Sequence, residues 1–120
     1  MIAVYIAGKM SAPNPIQFLR NLNAMQEWTA KIRDLGYAPF PVADDYADIM
    51  RTKTVGLYEI QEASLTWLRR ADVMFVCPGY EDSRGTAKEI REANNLDIMI
   101  TYTIEQLEQF KIQFREGVQK

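Results

Sequence analysis

At 120 residues the chain has the length of one ordinary domain, and its 48% hydrophobic and 25% charged residues sit at the averages for globular proteins and suggest neither disorder nor a fibrous repeat. A net charge of -2 offers no general attraction for nucleic acid or an anionic membrane, so a small molecule is the expected partner. With no histidine, the His-dependent triads and the usual zinc hydrolases are excluded, and carboxylates, hydroxyls, Lys and Tyr remain for any chemistry.

Ile2 to Ala7 is nearly all apolar and stops at Gly8, the pattern of a strand buried on both faces. It lacks the basic leader and cleavage site of a secretory signal, and no apolar run approaches the ~20 residues that span a bilayer. A cytoplasmic protein is expected. Asn14-Pro15 reads as a helix start, and Leu19, Leu22, Met25, Trp28, Ile32 and Leu35 give that helix an apolar stripe up to Gly36. Tyr37 to Val42 is a short extended piece whose Pro39 and Pro41 cannot donate ladder hydrogen bonds, which puts it at a sheet edge. Ala43 to Thr54, with Asp44, Asp45 and Asp48, reads as a polar loop. These carboxylates form either a solvated loop or a metal site, the former being the commoner use of such runs.

Leu57, Ile60, Ser64 or Leu65, and Leu68 predict a second helix that stops near Arg69-Arg70, cations suited to its negative end. Val73 to Cys77 is the next strand, closed by Pro78-Gly79. Cys77 is the only cysteine, so an internal disulfide is excluded, and within an apolar run it reads as a buried structural thiol. A third helix over about 85–95, a strand over 98–102 and a last helix begun by Thr103 follow. Strands alternating with helices imply a single α/β domain over residues 1–120, built on a small doubly wound, flavodoxin- or Rossmann-like parallel sheet of four to five strands. Ligands of such sheets sit beyond the carboxyl ends of the strands, where strand order reverses. The loops 8–14 and 79–84 qualify.

The second of these leads into Ser83-Arg84-Gly85-Thr86-Ala87-Lys88-Glu89, for which three readings are open. Thr86 with Glu89 fits a capping box, in which Glu reaches back to the cap residue's N–H. Gly79 and Gly85 flank a turn that feeds N–H groups to a helix N-terminus and thus to a phosphate, although both the Walker A and the G-x-G-x-x-G spacings are absent. Third, Glu89 in the first turn of a helix at the ligand edge would have its ionised form favoured by the dipole, as a nucleophile requires. A carboxylate nucleophile without histidine or metal suits sugar chemistry, with its oxocarbenium-like transition state.

Three stretches in order, Val4-Tyr5-Ile6-Ala7-Gly8, Ser64 to Val73 (S-L-T-W-L-R-R-A-D-V) and Ser83 to Glu89 (S-R-G-T-A-K-E), give the chain a resemblance to the nucleoside 2-deoxyribosyltransferase superfamily. That superfamily includes the 2'-deoxynucleoside 5'-phosphate N-hydrolases and small bacterial and phage proteins. The resemblance implies that Glu89 attacks the anomeric carbon, that Tyr5 orients it or contacts the sugar, and that Gly8 lets the backbone approach a ligand. It further implies that Lys9, Ser11, Asp82 and Ser83 hold sugar hydroxyls or a 5'-phosphate, with Gly85 permitting the close turn. Read from the residues alone, Tyr5 is equally a core aromatic, Lys9 and Ser11 surface turn residues, and Asp82 and Ser83 helix caps. By the same resemblance no cofactor or metal is required, the substrate is a nucleoside or nucleoside 5'-monophosphate, and the protein is a homodimer or higher homo-oligomer. Leu107, Phe110 and Phe114 on one helix stripe, with Ile112 on another face, point to self-association as well.

Two positions depart from the family pattern. Many members carry Asp eight residues before the Asp of A-D-V, near the nucleobase, where this chain has Ser64, and a hydroxyl is a poor general acid. Arg91 replaces a small residue two positions after the nucleophile. The expected activity is cleavage or transfer at an N-glycosidic bond, and the alternative is a relative that binds a nucleotide derivative without cleaving it. The cytokinin-type phosphoribohydrolases, with a related G-T-x-x-E helix start on longer chains, are a minor alternative.

Overall fold

Helix starts and strand edges are set locally, by side chains that satisfy backbone groups. In the computed structural model, which describes residues 1–42 and 57–119, strand β1 (Ala3–Ala7) is followed by helix α1 (Pro15–Asp34). The Asn14 side chain accepts the Gln17 N–H at 2.8 Å, and Pro15 occupies the first helical position, where a missing N–H costs nothing. At the other end Gly36 adopts φ +96°, and the Tyr37 N–H turns back to the Ile32 carbonyl at 3.4 Å. That left-handed turn favours glycine and closes the helix. The acidic segment Asp44, Asp45 and Asp48 lies outside the described residues.

Strand β2 (Ala38–Pro41), helix α2 (Leu57–Leu68), strand β3 (Val73–Val76), helix α3 (Arg84–Asn95), strand β4 (Met99–Thr101) and helix α4 (Ile104–Gln119) complete the described elements. All strand pairs are parallel, in the order β2-β1-β3-β4. β2 is therefore an edge strand, as its prolines require. Four strands form among the described residues, the lower of the two expected numbers, and helices flank them in the doubly wound manner. Tyr5 pairs with Phe40 and Met74, and Ile6 with Phe75, so alternation divides the sheet into two faces. Trp28 of α1 packs on Phe75 with ring centroids 5.3 Å apart, whereas Trp67 of α2 stacks on Phe40. The hydroxyl of Tyr37 donates to Glu108 of α4 at 2.9 Å, which places α4 on the α1 side.

The core lies between these layers and includes Val4, Ile6, Ile32, Leu68, Met74, Phe75 and Leu107, each 0–1% exposed. Two members of the expected α1 stripe are corrected: Leu19 and Leu35 are 48% and 38% exposed, and Phe18 packs on the core instead. A stripe of 3.6 periodicity leaves the choice between adjacent positions to the rotation of the helix on its sheet. Leu107, Phe110 and Phe114 of α4 all turn to the core, whereas Ile112 is 52% exposed. No helix among the described residues is long and apolar enough to cross a membrane.

Candidate functional site

β1 and β3 are neighbours, but the chain leaves β1 toward β2 on one side and β3 toward β4 on the other. Such a reversal splays the two following loops apart and leaves a crevice at the carboxyl ends of the strands. A cleft of about 290 Å³ occupies it. Gly8, Met10, Ser11 and Ala12 line it from the loop after β1, Phe18 from α1, Gln61 from α2, and Ser83, Gly85, Thr86 and Glu89 from the start of α3.

The start of α3 follows the reading of Ser83 as a helix cap and overturns that of Thr86 as the cap. Ser83, at extended φ −93° and ψ 112°, is the cap residue, its hydroxyl accepting the Thr86 N–H at 3.2 Å and lying 2.9 Å from the Thr86 hydroxyl. Thr86 is thus the third helical residue rather than the cap. Both S-x-x-T and T-x-x-E fit a cap pattern, and the tight turn that returns the Ser83 N–H to the Tyr80 carbonyl at 2.8 Å selects the earlier one. Consequently Glu89 lies in the second turn, not the first, too far along to reach back to a cap or to gain much from the N-terminal dipole. Gly85 likewise sits inside the helix rather than in the turn.

Glu89 instead bridges the layers. Its Oε2 accepts a short hydrogen bond from the hydroxyl of Tyr5, which rises from the centre of β1. Tyr5 is fully buried, as a core aromatic would be, yet its polar tip ends at the cleft carboxyl. Glu89 as a residue is half-buried because part of it borders the cleft, while the carboxyl itself is enclosed. Burial raises its pKa from 4.5 to about 7, against the opposing effect of the Tyr5 hydrogen bond, which favours the ionised form. The dipole-favoured, strongly ionised carboxylate expected at a helix N-terminus is therefore corrected to one poised near neutrality.

Of the other predicted residues, Gly8, Ser11, Ser83 and Gly85 border the same cleft. Ser64 is buried and lines a small hollow with Gln61, Leu65, Gly85, Lys88 and Glu89, so it lies beside the carboxyl rather than facing solvent. Lys9 and Asp82 are not among the cleft-lining residues: the Lys9 ammonium meets Asp82 Oδ2 at 2.5 Å, tying the two loops together at the rim. This pairing holds the Asp82 carboxyl below its usual range. Gly8 has a packing reason to be glycine, since a Cβ there would lie 2.9 Å from Met25 Cε and 3.1 Å from Cys77 Cβ. Arg91 is exposed.

Met10, Ala12, Phe18 and Gln61 border the cleft without a sequence signal read as functional, and Thr86, read there as a helix cap, borders it as well. Gln61 had a signal, one turn before Ser64 on the same helix, whereas Phe18 was masked by its neighbour Leu19. Asp72 of the A-D-V stretch serves the fold: its Oδ2 accepts the Ala3 N–H at 2.8 Å, beside the start of β1. Among the described residues no group of three or more His, Cys, Asp or Glu side chains is placed to hold a metal ion.

Residues 2–102 match a family described as a domain of unknown function, DUF4406, and the chain belongs to that family. The match spans β1 through β4 and with them the whole cleft. A search among curated proteins found no match.

Proposed function

We propose that this DUF4406 chain cleaves, or exchanges the base at, the N-glycosidic bond of a nucleoside or nucleoside 5'-monophosphate, with Glu89 as nucleophile. The observation that carries the reading is the carboxyl of Glu89. It is not a helix cap, it is enclosed at the switch-point cleft, and a hydroxyl from the central strand addresses one of its oxygens. A buried carboxyl with so specific a partner in a cleft is a functional candidate on physical grounds. The resemblance to the nucleoside 2-deoxyribosyltransferase superfamily supports the same assignment.

In this mechanism Oε1 of Glu89, the oxygen not engaged by Tyr5, attacks the anomeric carbon. The C–N bond breaks as the C–O bond forms, and the base leaves with the bonding pair and takes up a proton from solvent or a neighbouring donor. A glycosyl ester on Glu89 results. Water, or the nitrogen of a second base, then attacks the same carbon and gives up its proton to solvent as the C–O bond to Glu89 breaks, which returns Glu89 as carboxylate. Tyr5 holds the carboxylate in one orientation, and Ser11 offers a hydroxyl to the sugar, while the Ser83 hydroxyl, already donating to Thr86, can only accept from it. The apolar side chains of Met10, Ala12 and Phe18 suit the face of a base.

The test is incubation with a panel of nucleosides and 5'-monophosphates, scored for free base, with Glu89→Gln in parallel. Release by wild type and none by a folded Glu89→Gln protein supports the proposal. Equal release by both ends it.

A second reading is favoured by one specific feature. Ser64 shares a small hollow with Glu89, and the resemblance calls for a carboxylic acid at this position to assist departure of the base; a hydroxyl there fits a protein that binds a nucleotide derivative without cleaving it. Saturable binding of panel members without release of base would select it. Self-association is proposed on the resemblance and on exposed Ile16, Leu19 and Ile112, and a monomer by light scattering at high micromolar concentration would refute it.

A further inference from the structure

Tyr5, Phe40 and Trp67 form a continuous aromatic stack drawn from β1, β2 and α2. The Tyr5 and Phe40 rings lie 5.8 Å apart at 15°, and Phe40 and Trp67 lie 5.3 Å apart at 22°. At one end Tyr5 is wholly buried with its hydroxyl on Glu89. At the other Trp67 is 48% exposed and covered by the Arg70 guanidinium, 5.8 Å from its ring centre. The stack thus runs from the protein surface to the cleft carboxyl.

A phenol's O–H prefers to lie in the plane of its ring. The position of the Tyr5 oxygen follows from the first side-chain torsion, and the direction of its O–H from the ring plane. Packing at the ring face constrains both, because a near-parallel neighbour is lost as soon as the ring tilts. Phe40 is that neighbour, held from behind by Trp67. The register Tyr5↔Phe40 alone would make them an ordinary cross-strand pair. The third ring and the hydrogen bond at the far end go beyond that.

We infer that Phe40, backed by Trp67, is a positioning residue that fixes the ring of Tyr5 so that its hydroxyl is directed at Oε2 of Glu89. The consequence for the cleft is a carboxylate with one oxygen occupied and the other presented, which deepens the glycosidic reading and, for its bearing on catalysis, rests on it. Among the described residues, Glu89 meets Tyr5 from β1 and shares a hollow with the neutral Gln61 and Ser64 from α2 and with Lys88 of α3, whose ammonium lies 3.9 Å from Glu62. None of these belongs to the stack beyond Tyr5, so disturbing Phe40 reaches Glu89 through Tyr5.

The experiment compares wild type, Phe40→Leu, Phe40→Tyr and Trp67→Ala, all carrying carboxyl-labelled glutamate, by carbon NMR over a pH series. The Glu89 signal is identified by its loss in Glu89→Gln, and base release is followed over the same series. Loosening the phenol removes a hydrogen bond that favours the ionised carboxylate. Phe40→Leu should therefore move the Glu89 midpoint upward by about one pH unit, a tenfold change in its ionisation equilibrium, and carry the acid limb of base release with it. Phe40→Tyr keeps the stack and should titrate as wild type. Trp67→Ala, at the exposed end where folding is at little risk, should shift the midpoint the same way by a smaller amount, and it decides the matter if Phe40→Leu does not fold. A wild-type midpoint in folded Phe40→Leu, or in Trp67→Ala when it alone folds, overturns the inference. Shifted midpoints in a protein that releases no base from any substrate leave the positioning role standing and overturn the glycosidic reading.

Discussion

Glu89→Gln should make the protein more stable at alkaline pH while abolishing its proposed activity. The carboxyl titrates at 4.5 when exposed and at about 7 in the cleft. Between those values the folded protein holds a proton that the unfolded chain has released, so the contribution of Glu89 to stability is fully present below pH 4.5 and is lost as pH rises through 7. At about 1.4 kcal/mol per pH unit the loss amounts to about 3 kcal/mol. Glutamine is neutral throughout and keeps an oxygen to accept the Tyr5 hydroxyl, so it avoids this loss without vacating the site. Urea denaturation of both proteins at pH 5 and pH 8 reads the effect. At pH 5 the variant should already exceed wild type by about 1 kcal/mol, and at pH 8 by up to about 3 kcal/mol, a midpoint difference on the order of 1–2 M. Base release by wild type should move the opposite way and rise through the same interval, since only the carboxylate attacks. Parallel pH dependence of stability in the two proteins would refute the enclosure of the carboxyl, and with it the argument for a poised nucleophile.

Gly8→Ala should cost about 1–3 kcal/mol, because the new Cβ meets Cys77 Cβ at 3.1 Å, just past the end of β3, even if the end of Met25 moves aside; thermal unfolding tests this, and an unchanged midpoint would contradict it. The Cys77 thiol, pushed up to about 12 by burial, should resist a thiol reagent in the native protein and react promptly in denaturant, so equal rates would show it to be accessible. Ser64→Asp should speed base release from a purine nucleoside by up to the ~10²-fold or more that general acid help supplies. An unchanged rate in a folded variant would favour the binding reading.

Much of this protein is written in short-range signals. Asn14-Pro15, Gly36 and Thr103 bound their helices because each satisfies or replaces backbone groups within a few residues of itself. Pro39 and Pro41 place β2 at an edge for the same reason, since a residue without an N–H cannot sit mid-ladder in any fold. The alternation of apolar strands with periodic helices then leaves a doubly wound sheet as the arrangement that buries every apolar face, and its reversal point follows. What sequence left open depended on distance in space. Tyr5 and Glu89 are separated by 84 positions, and Lys9 and Asp82 by 73, so neither pairing had a local signature. The choice of Ser83 over Thr86 as cap required the turn that returns to Tyr80, and that of Phe18 over Leu19 the rotation of α1 on the sheet. Above all, the state of Glu89 is a property of enclosure. A carboxyl's preference for its charge is set by the water taken from around it and the donors put in its place, and both were decided only when α3 was laid against β1.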